Sequence, residues 1–199
     1  MTNKLPEIHF ALPGWVSPFL AAYPEMFPSV EERMKMVVAL SLENVRHGLG
    51  GPFGAAVFDE EGRIVAPGIN LVAQENNAML HAEMVALMLA QKKLGCYDLS
   101  GGGVRRLALY TSTDPCAMCL GALCWSGISR LVCGAKSEDA EAIGFDEGPR
   151  HPDWVAQLRA RGIDVVLEVC REEAAAVHRR YVAGGGIIYN PADSKAAGP

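Results

Sequence analysis

The sequence predicts an α/β layered domain built on a mixed sheet. Two observations carry that expectation. After residue 53, short apolar strand-like runs alternate with helix-length periodic segments. The first two strand-like runs are joined by the tight turn Asp59-Glu60-Glu61-Gly62, so one pair is antiparallel while later strands are separated by helical crossovers.

The elements follow in order. Residues 1–28 hold five of the twelve prolines, with Trp15, Phe19, Tyr23 and Phe27 between them, and read as an extended arm packed on the core or on a second subunit. Ser29-Val30-Glu31-Glu32 is a capping box, and Val30, Met34, Val37, Val38 and Val45 give the helix that follows an apolar face up to His47. Gly48 is its stop signal. Phe53–Phe58 and Arg63–Ala66 read as a hairpin. His81–Leu94 is helical and ends at Gly95. Leu107–Thr111 is a strand, Cys116–Ser126 a helix stopped by Gly127, and Leu131–Gly134 a strand. Asp153–Arg161 is helical, Ile163–Val169 extended and Glu172–Val182 helical. The expected organisation is an arm over 1–28, a domain over 29–190, and a flexible tail over 191–199, where composition is biased.

Composition narrows the function classes. The formal net charge is −5, which argues against a partner bound mainly through phosphates and suits a small neutral substrate. No apolar run is long enough for a membrane span, and the N-terminus lacks a signal-peptide layout, so a cytoplasmic address is expected. Six cysteines are too few for a disulfide scaffold in a chain of 199 residues; Cys116 and Cys119, three apart, point to metal or redox chemistry.

One constellation carries chemistry: His81 and Glu83 in one segment, Pro115, Cys116 and Cys119 in another. Thiolate and imidazole bind zinc well, and a catalytic zinc site uses three protein ligands with the fourth position left to water or hydroxide. His81, Cys116 and Cys119 supply three. Cys116 and Cys119 share a helix face, and at a helix start the positive end favours thiolate. Cys124 lies roughly 140° around that helix from Cys119 and does not fit. His81 and Glu83 are two apart, so they share a site only at a helix start, which is where the pattern puts them. Glu83 is then the carboxylate that shuttles protons, and not a ligand. Cys96, Cys124, Cys133 and Cys170 read as structural thiols, and Asp114 as a turn residue before Pro115.

His-x-Glu followed by Pro-Cys-x-x-Cys is the signature of zinc-dependent deaminases. The likeness extends further. Gly50-Gly51-Pro52-Phe53-Gly54-Ala55, His81-Ala82-Glu83, Leu109-Tyr110-Thr111-Ser112, Pro115-Cys116-Ala117-Met118-Cys119-Leu120-Gly121-Ala122 and Gly144-Phe145-Asp146-Glu147 together resemble bacterial guanine deaminase, a branch of the cytidine-deaminase-like superfamily, over roughly residues 30–190. The resemblance implies a three-layer α/β/α domain, one zinc ion per subunit and a homodimer whose C-terminal segment, here with Tyr189, can cross to close the partner's site. It implies His81, Cys116 and Cys119 as ligands, Glu83 as proton shuttle, and hydrolysis of guanine to xanthine and ammonia. Asn70 matches an asparagine whose amide contacts the substrate, with Phe53, Ala82 and Trp125 near the ring. Glu147 matches an acidic residue that contacts substrate and helps move protons, aspartate in the related pattern. By position alone, Trp125 reads more readily as a core residue. Cytosine, cytidine or another small amino-oxo ring stays open as substrate. So do a tRNA adenosine deaminase, despite the poor basic footprint, and a zinc protein that binds without catalysis.

Overall fold

In the computed structural model, which describes residues 5–190, the chain forms one five-stranded sheet with helices on both faces. In chain order the elements are α1 (Val16–Ala21), α2 (Val30–Arg46), β1 (Gly54–Phe58), β2 (Ile64–Ile69), α3 (Val72–Glu75), α4 (Ala82–Leu94), β3 (Ala108–Thr113), α5 (Ala117–Ser126), β4 (Arg130–Ala135), α6 (Ser137–Glu141), α7 (Trp154–Ala160), β5 (Asp164–Val166) and α8 (Arg171–Ala183). The strand order is β2-β1-β3-β4-β5. β1 pairs antiparallel with β2 and β3; β3, β4 and β5 are parallel. The mixed sheet is the expected one, hairpin first and crossovers after. The tail over 191–199 lies outside the described residues.

Strand residues alternate between the two faces. Ala56, Phe58, Tyr110 and Val132 join one core with α2 and α8; Ala55, Val57, Leu109, Leu131 and Cys133 join the other with α4, α5 and α7. Both faces are covered, which is why β1, β3 and nearly all of β4 are buried end to end and read as continuous apolar runs. β2 runs further than its sequence pattern suggests, through Pro67 and Gly68. It is an edge strand, where a proline costs no ladder bond on its open side. Gly68 also lets α4 close on the sheet, since a side chain there would strike the Ala82 carbonyl and Ala86.

The capping box forms as read: Ser29 Oγ accepts from Glu32 N, and the Glu32 carboxylate accepts from Ser29 N. The N-terminal stretch is not wholly extended. Residues 16–21 turn into α1, and Val16 and Phe27 are buried in the α2-side core, with Phe27 packed edge-on against Phe58. α1, α3 and α6 have no counterpart in the sequence reading; at six, four and five residues they are too short to show a helical period.

One polar pair interrupts the apolar α8–sheet contact. His178 is 1% exposed, and its Nε2 lies 2.9 Å from Thr113 Oγ1 at the end of β3. Burial pushes its pKa down to about 4; Asp139 pulls the other way and Arg179 adds to the fall. An unfolded chain protonates histidine near 6.5. As pH falls below that value the unfolded state takes up the proton first, so this contribution to stability is present above about 6.5 and is lost on the way to about 4. Denaturant titrations at pH 7 and pH 5 should therefore show wild type losing about 2 kcal/mol more than His178→Phe. Equal losses would mean that His178 is solvated or charged in the folded protein.

Candidate active site

Two helix N-termini meet at the site. His81 is the N-cap of α4 and Glu83 lies in its first turn; Cys116 is the N-cap of α5 and Cys119 stands three residues on. Because His81 is still extended (ψ 155°), it and Glu83 escape the opposite-face problem that two positions inside a helix would have. Gly95 and Gly127, both at positive φ, end the two helices where expected.

His81 Nδ1 lies 3.4 Å from Cys116 Sγ and 3.8 Å from Cys119 Sγ. The three ligand atoms lie within 4.8 Å of one another, and they are the metal-competent group among the described residues. Tetrahedral zinc with bonds of about 2.05 Å to nitrogen and 2.3 Å to sulfur requires N···S separations of about 3.6 Å, so the set fits that ion. The thiols are already polarised. Hydrogen bonding from Cys119, and then from His81, brings Cys116 down to about 4, while Cys119 is pushed up as its partner. This polarisation favours the thiolate form of Cys116 that a metal needs.

Above this group lies a cavity of about 490 Å³. Its lining includes Phe53, Asn70, His81, Glu83, Cys116 and Glu147, drawn from five separate segments. Glu83 and Glu147 are both buried. Burial, reinforced by Cys116, raises Glu83 to about 7; burial, Cys116 and Glu83 raise Glu147 to about 8. Phe53 packs edge-on against Phe145 at 5.0 Å to form an aromatic wall.

Asn70 is almost fully buried, and its amide is only half free. Oδ1 accepts from Gly51 N (3.3 Å) and Val72 N (3.2 Å), so the NH₂ group is what remains for a ligand. Asn44 of α2 fixes this loop, donating from Nδ2 to the carbonyls of Gly51 and Asn70, both at 3.0 Å. Sequence reasoning missed Asn44, although a lone asparagine on the apolar stripe Val37-Leu40-Asn44 was the available signal. Asn70→Asp keeps the acceptor for both backbone amides but replaces the donor with a second acceptor. The variant should fold and raise KM for the ring substrate by about 100-fold or more. A normal KM with normal melting would remove Asn70 from the substrate contacts.

Other residues fall differently from expectation. Trp125 is neither pocket wall nor core: it is 85% exposed on the outer face of α5. Six positions beyond Cys119 it lies roughly 120° around the helix, so the turn that buries the thiol presents the indole to solvent. Ala82 is buried between α4 and the sheet and is not part of the cavity lining. Asp114, read as a turn residue, lines the cavity; burial raises it to about 6. Cys124 donates to the Leu120 carbonyl on its own helix and stays apart from the metal group.

Within the single chain described, the C-terminal segment folds back beside the cavity. After α8 the glycine turn at 184–186 reverses direction, secured by Tyr181 Oη donating to Ile187 O at 2.6 Å. Tyr189 then packs on Phe145 at 5.0 Å, and Asn190 bonds Gly144 O and Asp146 N across the Glu147 loop. Gly51 is bare because any side chain there would collide with Tyr189.

A His/Cys/Cys group with both thiols buried, a carboxylate beside it and a ring-sized cavity above it define a zinc-dependent deaminase. The comparisons agree. The family model for the cytidine and deoxycytidylate deaminase zinc-binding region matches residues 28–135, and the chain belongs to that family. It is 41% identical to guanine deaminase of Bacillus subtilis over 117 residues, 59% of this chain and 71% of the relative. Among solved structures, guanine deaminase from Nitrosomonas europaea superposes with a TM-score of 0.84 at 43% identity, covering 89% of this chain and 97% of the other. A second structure, in complex with 2,6-diaminopurine, gives 0.82 at 46% identity and covers 92% and 96%. The three-layer deaminase fold that the resemblance implied is therefore the fold of this chain.

Proposed function

We propose that the chain hydrolyses guanine to xanthine and ammonia. The observation that carries this reading is the polar layout of the cavity: the buried carboxyls of Glu83 and Glu147, and an asparagine restricted to donating, line the same cavity as His81 and Cys116. The two most similar proteins named above are guanine deaminases, which supports the same choice.

His81, Cys116 and Cys119 would hold the zinc ion, whose charge would let water ionise near neutral pH. Glu83 takes one proton from the attacking water and passes it to a ring nitrogen, then takes the remaining proton of the added hydroxyl and delivers it to the departing amine as the C–N bond breaks. A carboxyl held near 7 by burial can give and take protons in that range. Glu147, held protonated more readily still, contacts the ring and assists transfer to the leaving group. Asn70 donates to the ring carbonyl, an acceptor that adenine and adenosine lack at that position. Phe53 and Phe145 supply an apolar wall for the ring, and Tyr189 closes the cavity. Water enters and ammonia leaves, so no other reactant is required.

The reading extends to a cytoplasmic homodimer in purine catabolism, acting on a small molecule and not on nucleic acid. Trp125, with its indole in solvent, supports an apolar subunit contact along α5. Among the described residues no helix is long and apolar enough to cross a membrane.

The test is ammonia release from guanine, cytosine, cytidine, adenine and adenosine by protein of measured zinc content. Turnover confined to guanine is expected. Full zinc with guanine untouched would move the substrate to another amino-bearing ring, and full zinc with no turnover on any of the five would favour the binding-protein reading.

A further inference from the structure

We propose that Thr113, braced by His178, is a specificity-determining residue of this site, its hydroxyl hydrogen-bonding the ring of the bound purine. The inference rests on the guanine reading above and deepens it.

Thr113 is the last residue of β3, three before Cys116, and it lines the substrate cavity. Its oxygen is 2.9 Å from Nε2 of His178, which sits in the layer behind, on α8. The same imidazole lies against Phe53, with ring centroids 5.4 Å apart and planes at 58°. Phe53 is a cavity wall too. One buried side chain thus braces two walls of the pocket from outside it.

The fold has no need of this polarity. Ala174, Ala175 and Val177 make the contact of α8 with the α2-side core, Tyr181 packs on Phe145 further along, and an apolar ring at 178 would fill the place beside Phe53. Instead the chain buries an imidazole, whose desolvation an apolar ring would avoid. Valine has the shape of threonine and suits a buried strand better. What the pair adds is a hydroxyl of fixed orientation on a residue that lines the cavity. A hydroxyl offers one donor and two acceptor positions. With one of these engaged by His178, the others remain for a ring edge. His178 is uncharged around neutral pH, so the pair brings no net charge against a neutral base.

His178 acts as a positioning residue, so the two side chains should behave as one unit. The experiment measures kcat and KM for guanine on zinc-loaded wild type, Thr113→Val, Thr113→Ser, His178→Phe and the double variant Thr113→Val/His178→Phe, with melting curves for each. Thr113→Val should raise KM about tenfold with kcat within about twofold. Thr113→Ser should return KM to within about twofold of wild type. The double variant should be no worse than the poorer single variant, because both remove the same bond. Should Thr113→Val not fold, Thr113→Cys, which keeps size but hydrogen-bonds poorly, carries the same KM expectation. An unchanged KM in the valine or cysteine variant, no rescue by serine, or single losses that multiply in the double variant would each overturn the inference. A wild type without guanine turnover would overturn the functional reading and this inference with it. A working wild type with an unaffected Thr113→Val overturns this inference alone.

Discussion

Glu83→Ala should lose nearly all turnover and keep its zinc. Removing a general acid–base from an otherwise intact site costs 10²–10⁴-fold, and Glu83 has two transfers to make, so the upper part of that range is expected. The metal should stay because the ligand atoms belong to His81, Cys116 and Cys119, and Glu83 is not among them. Stability should hold or rise. The carboxylate is desolvated beside a thiolate, which is what pushes it up to about 7, and alanine removes that unfavourable burial. Ammonia release, zinc content and melting temperature, measured on one preparation, separate the three statements. A rate within tenfold of wild type would end the shuttle role.

The second large effect is expected from Cys119→Ala. Cys119 is fully buried in the first turn of α5, with its Sγ 3.8 Å from His81 Nδ1. Loss of one of three protein ligands should weaken zinc by more than the 10–100-fold that an outer-shell partner is worth. Zinc binds the folded state, so its stabilising effect should shrink with its affinity. Added zinc should raise the melting temperature of wild type and leave Cys119→Ala nearly unmoved. Cys124→Ala is the control. Its thiol bonds the Leu120 carbonyl on its own helix, and it should bind zinc as wild type does. Full zinc occupancy in purified Cys119→Ala would remove that residue from the ligand set.

Much of the fold was legible because its signals are local. The Ser29–Glu32 capping box, the glycine stops at Gly95 and Gly127, and the Asp59–Gly62 turn each act within a few residues of themselves. The short helices were not legible: α3 spans four residues, which is barely one turn. The edge position of β2, which lets Pro67 stay in a strand, is a property of the sheet and not of the segment.

The site divides in the same way. His81, Glu83, Cys116 and Cys119 were readable because metal chemistry fixes both residue type and spacing, and two helix starts supply the geometry within a turn of chain. Trp125 was misplaced because a helix phase alone does not say which face meets the sheet and which meets solvent. Asp114 and the Thr113–His178 pair gave no local sign of their place at the cavity, and Asn44 showed only as a lone amide on an apolar stripe. Nor does anything in Asn70 itself tell which end of its amide is free; the amides of Gly51 and Val72 decide that. The sequence by itself determined the candidate ligands, the carboxyl that stands beside them and the alternation of strands and helices, since each depends on neighbours along the chain. Tertiary structure alone decided the shape and polarity of the cavity, because its walls come from segments as far apart as Phe53 and Tyr189, and only packing of the sheet and its helices brings them together.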